Sequence, residues 1–379
     1  MIFPRCLIAL ILLPASTAFA QASGQRVPRG APQEPVLSHR LPSPQTEGKM
    51  KLDVLVTDEA GQPVSGLTQK DFTVFDDKKP RPILSFQAVD GSTGNGTRND
   101  PAVEVILVVD VTNTPLKVVG HERDQIERFL RRNGGRLTQP TSLVIFDDRG
   151  VKGLPRPTRD GNELADELKM AEATAHSVLL TVQTEPERAT MSLNALERIT
   201  EATNTKEGRT LLIWIGDGCP MLENSGYRFT RQEFAAQFDR VVTISGEMRE
   251  SRVTLYSIYP TDPAAIDQLH IQHYRSFLKA ASSVDRVRPG NLALPVLAIH
   301  SGGRALDTTT DLGDEIAACI AEAKFYYTLS FDPVNAKHVD EYHALTVRVD
   351  RPHLKGRTVA GYYGEPAFEF HLPALSEQH

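Results

Sequence analysis

The sequence predicts an α/β fold: a doubly wound, mostly parallel sheet with helices on both faces, flanked by a β-sandwich-like module. Two observations predict it. The middle of the 379-residue chain alternates apolar, strand-like runs with segments of helical periodicity, which is typical of a parallel sheet covered by helices. The segments before and after this region contain short alternating strands separated by turn residues, which indicates β-structure at both ends of the chain.

The first residues predict export. In residues 1–20, Arg5 precedes the apolar run Cys6–Leu13, and Ala18–Ala20 fits a small-x-small cleavage site, as in a secretory signal peptide. Residues 21–48 are rich in Pro, Gln, Ser and Gly and predict a disordered tether. No later segment reaches the length of a membrane span. We therefore expect a periplasmic or extracellular protein with no transmembrane segment once the signal is removed.

Residues 49–91 predict a small N-terminal β-module. Apolar and polar residues alternate from Met50 to Val56, and two further strand-like runs follow at Phe72–Phe75 and Ile83–Phe86. Turn residues separate the three runs. Three short strands are too few for a stable unit, so this module needs a partner elsewhere in the chain.

Residues 102–321 predict the central domain, because strand and helix patterns alternate along them. Its strands are expected at Val103–Val109, Leu143–Phe146, Val151–Leu154 (an antiparallel edge strand), Leu211–Ile215, Val253–Ile258 and near Ala305. Its helices are expected around Ile126, at Asn162–Ala171, around Leu196, at Gln232–Val242, around Ile266–Phe277 and at Asp314–Ala323.

Residues 322–365 return to a pure β pattern, and residues 366–379 form a tail. Strands are expected at Phe325–Phe331, Tyr342–Val349 and Thr358–Tyr363. We expect these strands to pair with the N-terminal module, so that the central domain is an insertion within one sandwich. The alternative is two separate small β-lobes, each packed on the central domain.

Two acidic residues follow predicted core strands, where ligands bind in open parallel sheets. Asp110 ends the first strand, and Asp217 follows a later one. Either residue alone is better explained as a helix cap or a turn residue. Together they form a stronger pattern, because Thr112 and Thr114 repeat at alternate positions after Asp110 and Thr190 begins a helix nearby. Such oxygens can converge on a hard cation.

These segments resemble the three loops of the metal-ion-dependent adhesion site of von Willebrand factor A domains. The flanking segments resemble a VWFA-related family first described in acidobacteria. The resemblance rests on Asp110-x-Thr112-x-Thr114, Thr190 with Ala195-Leu196, the strand into Asp217-Gly218, Ser301–Ala305, Val54–Asp58, Gly61–Val64, Gly66–Thr68, Asp71–Val74, Tyr326–Phe331, Tyr342-His343 and Gly361–Tyr363.

The resemblance implies a binding protein and not an enzyme. It implies that Mg²⁺ (or Mn²⁺ or Ca²⁺) is held by Asp110, Thr112, Thr114, Thr190 and Asp217, with an open position for an exposed Asp or Glu of a partner protein. The chain departs from the usual pattern at Thr112 and Thr114, where serines are typical. Threonine keeps the hydroxyl but adds a methyl group and a stiffer χ1.

Two other functions are open at this point. One is a metal-independent interaction scaffold in the cell envelope. The other is a haloacid-dehalogenase-like hydrolase with Asp110 as nucleophile, although the second acid of that pattern is Thr112 here. A nucleic-acid partner is not expected, because the net charge is −6 and no basic face is concentrated in the sequence.

Four further residues carry weaker signals. Cys219 and Cys319 remain after signal removal and are expected to be free thiols, although an oxidising compartment permits pairing. Trp214 is explained by core packing. His343 lies on a predicted hairpin and shows no ligand spacing.

Overall fold

The chain forms fourteen β-strands and six α-helices in the part that the computed structural model describes. That part comprises residues 49–90, 103–114, 116–151, 154, 156–172, 185–204, 208–219, 230–260, 274–308 and 311–366. The strands are β1 (Met50–Thr57), β2 (Phe72–Asp76), β3 (Lys79–Arg81), β4 (Ser85–Asp90), β5 (Glu104–Asp110), β6 (Arg136–Phe146), β7 (Thr158–Asp160), β8 (Thr210–Ile215), β9 (Val253–Pro260), β10 (Ala305–Thr308), β11 (Phe325–Phe331), β12 (Glu341–Val349), β13 (Lys355–Arg357) and β14 (Gly361–Gly364). The helices are α1 (Leu116–Leu130), α2 (Gly161–Glu172), α3 (Glu185–Thr203), α4 (Arg231–Glu250), α5 (Leu294–His300) and α6 (Leu312–Ala321).

The central sheet has six strands in the order β10-β9-β8-β5-β6-β7. All neighbouring pairs are parallel except β6 with the edge strand β7. The chain starts in the middle of the sheet at β5, builds outward through β6 and β7, and then returns to add β8 on the other side. The strand order therefore reverses between β5 and β8, and in doubly wound sheets such a reversal is associated with a ligand-binding crevice at the carboxyl ends of the strands.

Helices cover both faces of this sheet. On one face, apolar residues of α1, α2 and α6 pack against the strands, with Ile126, Leu164 and Ile316 almost fully buried. On the other face, α3, α4 and α5 do the same through residues such as Leu196 and Val241. Because β5 and β8 are buried on both faces, their sequences are continuous apolar runs without alternation.

The flanking strands form two four-stranded antiparallel sheets, β13-β1-β11-β4 and β14-β12-β2-β3. In each sheet a strand from the beginning of the chain pairs with one from its end, β1 with β11 and β2 with β12. Their apolar faces share one core, to which β1, β2, β11, β12 and β14 all contribute. The predicted fold class is therefore confirmed, including the sandwich-like module built from both ends of the chain.

Two strand predictions differ from the structure. Among the described residues the antiparallel edge strand is β7, which pairs with β6, whereas the predicted edge strand Val151–Leu154 includes residues 152–153, which lie outside the described part. Val151 lies outside any strand and packs its side chain into the core beside α3 and α4. The predicted strand Thr358–Tyr363 begins too early, because residues 358–360 form the connection in which the chain crosses from the sheet containing β1 to the sheet containing β12, and only β14 is a strand there.

Some predictions fall on residues outside the described part. These include the signal peptide and tether, the tail beyond Pro366, and most of the predicted helix around residues 266–277, of which only the 3-10 turn Tyr274–Phe277 is described. Among the described residues, no helix combines the length and the apolar character needed to cross a membrane.

Candidate functional site

The candidate site lies where β5 and β8 end side by side. Asp110 is the last residue of β5, and Gly216 and Asp217 follow the last residue of β8. Gly216 has φ of +127°, and a Cβ there would lie 2.7 Å from the Cβ of Asp110 and 2.7 Å from the Oγ1 of Thr114. Glycine at position 216 is what allows the two loops to approach this closely.

The Asp110 carboxylate is fully buried and accepts five hydrogen bonds. Its Oδ1 accepts from the backbone N–H groups of Thr112 (3.0 Å) and Asn113 (2.9 Å). Its Oδ2 accepts from the side-chain amide of Asn113 (2.8 Å), the indole N–H of Trp214 (3.0 Å) and the backbone N–H of Gly218 (3.0 Å). Because these donors come from the loop after β5, from β8 and from the loop after β8, the carboxylate holds the two loops together.

A second acid, Glu122 on α1, is buried near Asp110. Only 1% of Glu122 is exposed, and neither of its carboxyl oxygens has a hydrogen-bond partner. Burial, and then the negative charge of Asp110, raise the pKa of Glu122 to about 8. Burial also raises the pKa of Asp110 to about 6, against the lowering effect of its hydrogen bonds, and the charge of Asp217 adds to the rise. At neutral pH Glu122 is therefore mostly protonated, and it adds little negative charge beside Asp110.

The two threonines of the Asp110 loop differ in their hydrogen bonding. The Thr112 hydroxyl donates a long hydrogen bond of 3.4 Å to the carbonyl of Phe146. The Thr114 hydroxyl is buried and has no partner, and the Oδ1 of Asn113 is also buried without one. Buried oxygens without partners are uncommon in folded proteins and call for a ligand or water.

The structure places Thr190 and Ser192 differently on α3. Thr190 is exposed, whereas Ser192 is fully buried. The Ser192 hydroxyl accepts from the Asn113 side chain at 2.9 Å and lies within hydrogen-bonding distance of the Gly218 carbonyl at 3.1 Å. Ser192 therefore joins α3 to both loops. A direct ligand role for Thr190 stays a prediction.

The chemistry of this donor set fits a hard divalent cation. Hydroxyl, carboxylate and amide oxygens are the ligands that Mg²⁺, Mn²⁺ and Ca²⁺ prefer, and two of these oxygens, on Asn113 and Thr114, are buried without partners. Asp110 does not offer a free oxygen, because all five N–H donors would compete with a cation. Among the described residues, Asp110 also forms no tight group with two other acidic, histidine or cysteine ligands.

Sequence reasoning missed four of the residues that build this site. Trp214, Asn113, Ser192 and Glu122 are all buried around Asp110. One signal was available for Trp214, because a buried indole N–H needs an acceptor and an acidic residue ended the neighbouring predicted strand. Cys219 and Cys319 are both buried and free. Burial raises the pKa of each thiol, so both are held in the protonated form.

Comparison with protein-family models and with curated proteins finds no match. Several solved structures show a distant likeness, and two of them serve as examples. Human COPII-coat protein Sec24c matches with a TM-score of 0.35 at 10% identity over 74% of this chain, and this chain spans 46% of the Sec24c chain, less than half its length. Manganese-loaded Plasmodium vivax TRAP protein matches with a TM-score of 0.32 at 13% identity, over 76% of this chain and 100% of that one. Neither likeness assigns a function.

Proposed function

We propose that the chain is an exported protein-binding module that recognises an acidic side chain of a partner protein at the edge of its central sheet. One observation carries the proposal: the buried, unpartnered hydroxyl of Thr114 lies beside Asp110 at the crevice where the strand order reverses. Ligands of doubly wound sheets bind at such a crevice. The resemblance of the three loops to an adhesion site is the reason for choosing a protein as the ligand.

In this proposal the residues around the crevice have separate roles. The hydroxyl of Thr114 and the carboxylate of Asp217 face a divalent cation, while Asp110 supplies buried negative charge and holds the loops through its five hydrogen bonds. The cation, when bound, supplies positive charge and an open position for a partner's carboxylate. Thr112 and Thr190 are the remaining expected oxygens.

The proposal includes no catalysis by Asp110. A nucleophilic carboxylate needs a free oxygen within reach of its substrate. Asp110 is fully buried, and both of its oxygens accept hydrogen bonds. These contacts disfavour the hydrolase alternative.

A metal-independent scaffold is the second candidate, and one observation favours it. The five N–H donors of Asp110 order the loops without any cation. In that case the partner would bind directly to the surface of the loops, and removal of metal would not change binding.

The test uses Thr114→Val, which removes one hydroxyl and nearly preserves the shape of the side chain. Because this hydroxyl has no partner, the substitution should cost little stability. In Mn²⁺ titrations followed by calorimetry, we expect the parent chain to bind Mn²⁺ and Thr114→Val to bind it at least about tenfold more weakly. A peptide with an exposed Asp should then bind the Mn²⁺-loaded parent and be released by chelator.

The matched control is Thr73→Val, which alters a threonine of β2 in the sandwich, where its hydroxyl donates to Asp350 and not to a residue of this site. The parent and both variants also carry Asp77→Asn, because Asp76, Asp77 and His343 of the sandwich lie close enough together to form a second group of candidate metal ligands. Equal Mn²⁺ binding by the parent and Thr114→Val would contradict the cation site. Peptide binding that persists in chelator would instead support the scaffold.

A further inference from the structure

Two ionisable residues of the sandwich lie at strand positions that point into the core, where apolar side chains are expected. On β2 the buried positions are Phe72, Val74 and Asp76, and on β12 the buried row that includes Leu345 begins with His343. Asp76 is 0% exposed and His343 is 2% exposed. Burying a charge or an imidazole here is costly unless a partner compensates for the lost water.

The strand pairing brings a third residue to the same place. Asp76 lies opposite Leu345, and the turn after β2 places Asp77 beside the preceding residues of β12. Asp77 and Lys78 both have positive φ, of 47° and 65°, as in a tight two-residue hairpin turn. The carboxylate of Asp77 is about half exposed, so the group is open to solvent on this side.

The three side chains converge on one nitrogen. The Nδ1 of His343 lies 3.0 Å from the Oδ2 of Asp77 and 3.5 Å from the Oδ1 of Asp76. One ligand atom from each residue falls within 4.8 Å of the other two. Neither contact has the direction of a hydrogen bond, since the Nδ1 of His343 and the Oδ1 of Asp76 both remain without a partner.

Each carboxylate is held by its other oxygen. The Oδ2 of Asp76 accepts from the backbone N–H of Val334 and from the hydroxyl of Tyr362, both at 2.9 Å. The Oδ1 of Asp77 accepts from the backbone N–H of Ala344 at 2.9 Å. Hydrogen bonds of this kind orient the carboxylate ligands of protein metal sites.

The imidazole is also fixed in orientation. Its ring stacks on that of Tyr362, with 4.9 Å between centroids and 11° between planes. Both ring nitrogens are buried without a hydrogen bond, so a cation on Nδ1 would satisfy one of them. The remaining nitrogen, Nε2, lies close to Gly364.

We propose that Asp76, Asp77 and His343 form a site for a divalent transition-metal cation such as Zn²⁺. Two ligand atoms bonded to one zinc ion at about 2.05 Å, with a tetrahedral angle between them, lie about 3.3 Å apart. The observed separations of 3.0 and 3.5 Å lie on either side of this value. A nitrogen and two carboxylate oxygens suit Zn²⁺, with water in the fourth position.

A cation here would join the two ends of the chain. Asp76 and Asp77 come from the N-terminal strands, and His343 comes from the C-terminal strands. Because the ligands converge only in the folded state, the cation would bind that state preferentially and raise its stability. The site is separate from the crevice at Asp110, where the candidate metal ligands are all oxygen atoms.

The experiment measures Zn²⁺ binding by the whole chain with calorimetry and with NMR of the histidine ring nitrogens. We expect Zn²⁺ to shift the Nδ1 resonance of His343 and to raise the melting temperature. Asp77→Asn and His343→Gln should each weaken this binding by at least about tenfold. Asp77 is the safer position, because its side chain is about half exposed and its replacement should leave the fold intact.

The matched control is His353→Gln, since His353 forms an exposed pair with Glu59 in which the Nδ1–Oε1 distance is 2.7 Å. This pair lacks buried ligands, so we expect the variant to bind Zn²⁺ like the parent. The proposal is overturned if the Nδ1 resonance of His343 does not respond to Zn²⁺. It is also overturned if folded Asp77→Asn binds Zn²⁺ with the affinity and stoichiometry of the parent. If His343→Gln does not fold, the test is decided by Zn²⁺ binding to Asp77→Asn and by the Nδ1 resonance of His343 in the parent.

Discussion

Two buried acids near the crevice have different surroundings. Asp110 accepts five hydrogen bonds, whereas Glu122 has no partner for either oxygen. Burial raises the pKa of both, to about 6 for Asp110 and to about 8 for Glu122. Hydrogen bonding to the charged form limits the rise at Asp110, and its absence at Glu122 leaves the effect of burial unopposed.

Glu122→Gln should change how stability depends on pH. In the unfolded chain this carboxyl ionises near its ordinary pKa of 4.5, and in the folded chain near 8. Between these values the unfolded state loses the proton first, so the free energy of unfolding falls as pH rises and levels off above about 8. Glutamine cannot ionise, so we expect the variant to have a flatter profile and to be at least about 1 kcal/mol more stable than the parent at pH 8.

The measurement is urea unfolding in chelator at several pH values between 4.5 and 8.5, the range set by the pKa of Glu122. Glu167→Gln, at an exposed position of α2, is the control and should keep the profile of the parent. A Glu122→Gln variant that is less stable than the parent at pH 8 would show that the buried carboxylate is compensated in the folded state.

At the scale of elements, the site depends on the residues that directly follow β8. The φ of Gly216 is +127°, a conformation that side-chain-bearing residues rarely adopt. The space above it is filled by Asp110 and Thr114. In contrast, Gly120 lies within α1, and a Cβ there would meet nothing within 4 Å.

Alanine at these two glycines should therefore have opposite effects on stability. We expect Gly216→Ala to lower the free energy of unfolding by about 2 kcal/mol or more, through backbone strain and steric overlap. We expect Gly120→Ala to raise it by about 0.5–1 kcal/mol, because alanine favours helix. Urea unfolding, followed by the fluorescence of the single tryptophan, measures both. If Gly216→Ala were as stable as the parent, the loops after β5 and β8 could move apart to fit the methyl group without lowering the free energy of unfolding.

At the scale of the whole molecule, the sandwich and the central domain are joined by polar contacts as well as by packing. Arg252, at the turn before β9, forms two hydrogen bonds to Asp53 of β1, at 3.0 and 2.7 Å. Asp53 also accepts from the hydroxyl of Thr328 on β11 at 2.9 Å. Both ionised side chains are largely buried, at 23% and 14% exposure, so solvent screens this pair less than a surface pair.

A double-mutant cycle at Asp53 and Arg252 should reveal this coupling. We expect an interaction energy of about 1 kcal/mol or more, since the pair is bidentate and partly buried. The exposed pair Arg348 and Asp350 is the control and should give less than about 0.5 kcal/mol. Chemical unfolding of the single and double alanine variants provides the values. If the effects of the two single substitutions on the free energy of unfolding simply added, this pair would not couple the sandwich to the central domain.

The sequence by itself determined the fold class, because that information is local. Strands buried on both faces are continuous apolar runs, as in β5 and β8, and half-buried strands alternate, as in β12. The edge strand β7 could not be placed in this way. It has three residues, none of them buried, so it carries no apolar pattern.

Tertiary structure alone decided which polar groups meet. Asp110 and Asp217 were predictable, because carboxyl ends of parallel strands share one edge of a sheet. The partners of Asp110 come from separate elements, and Asp76 and His343 come from strands that are far apart along the chain, with no spacing in the sequence to connect them. Local periodicity records whether a side chain is buried, whereas the neighbours of a buried polar atom depend on how distant elements pack. For that reason the sequence predicts the layers of this protein, and only the folded chain shows which polar side chains lie together.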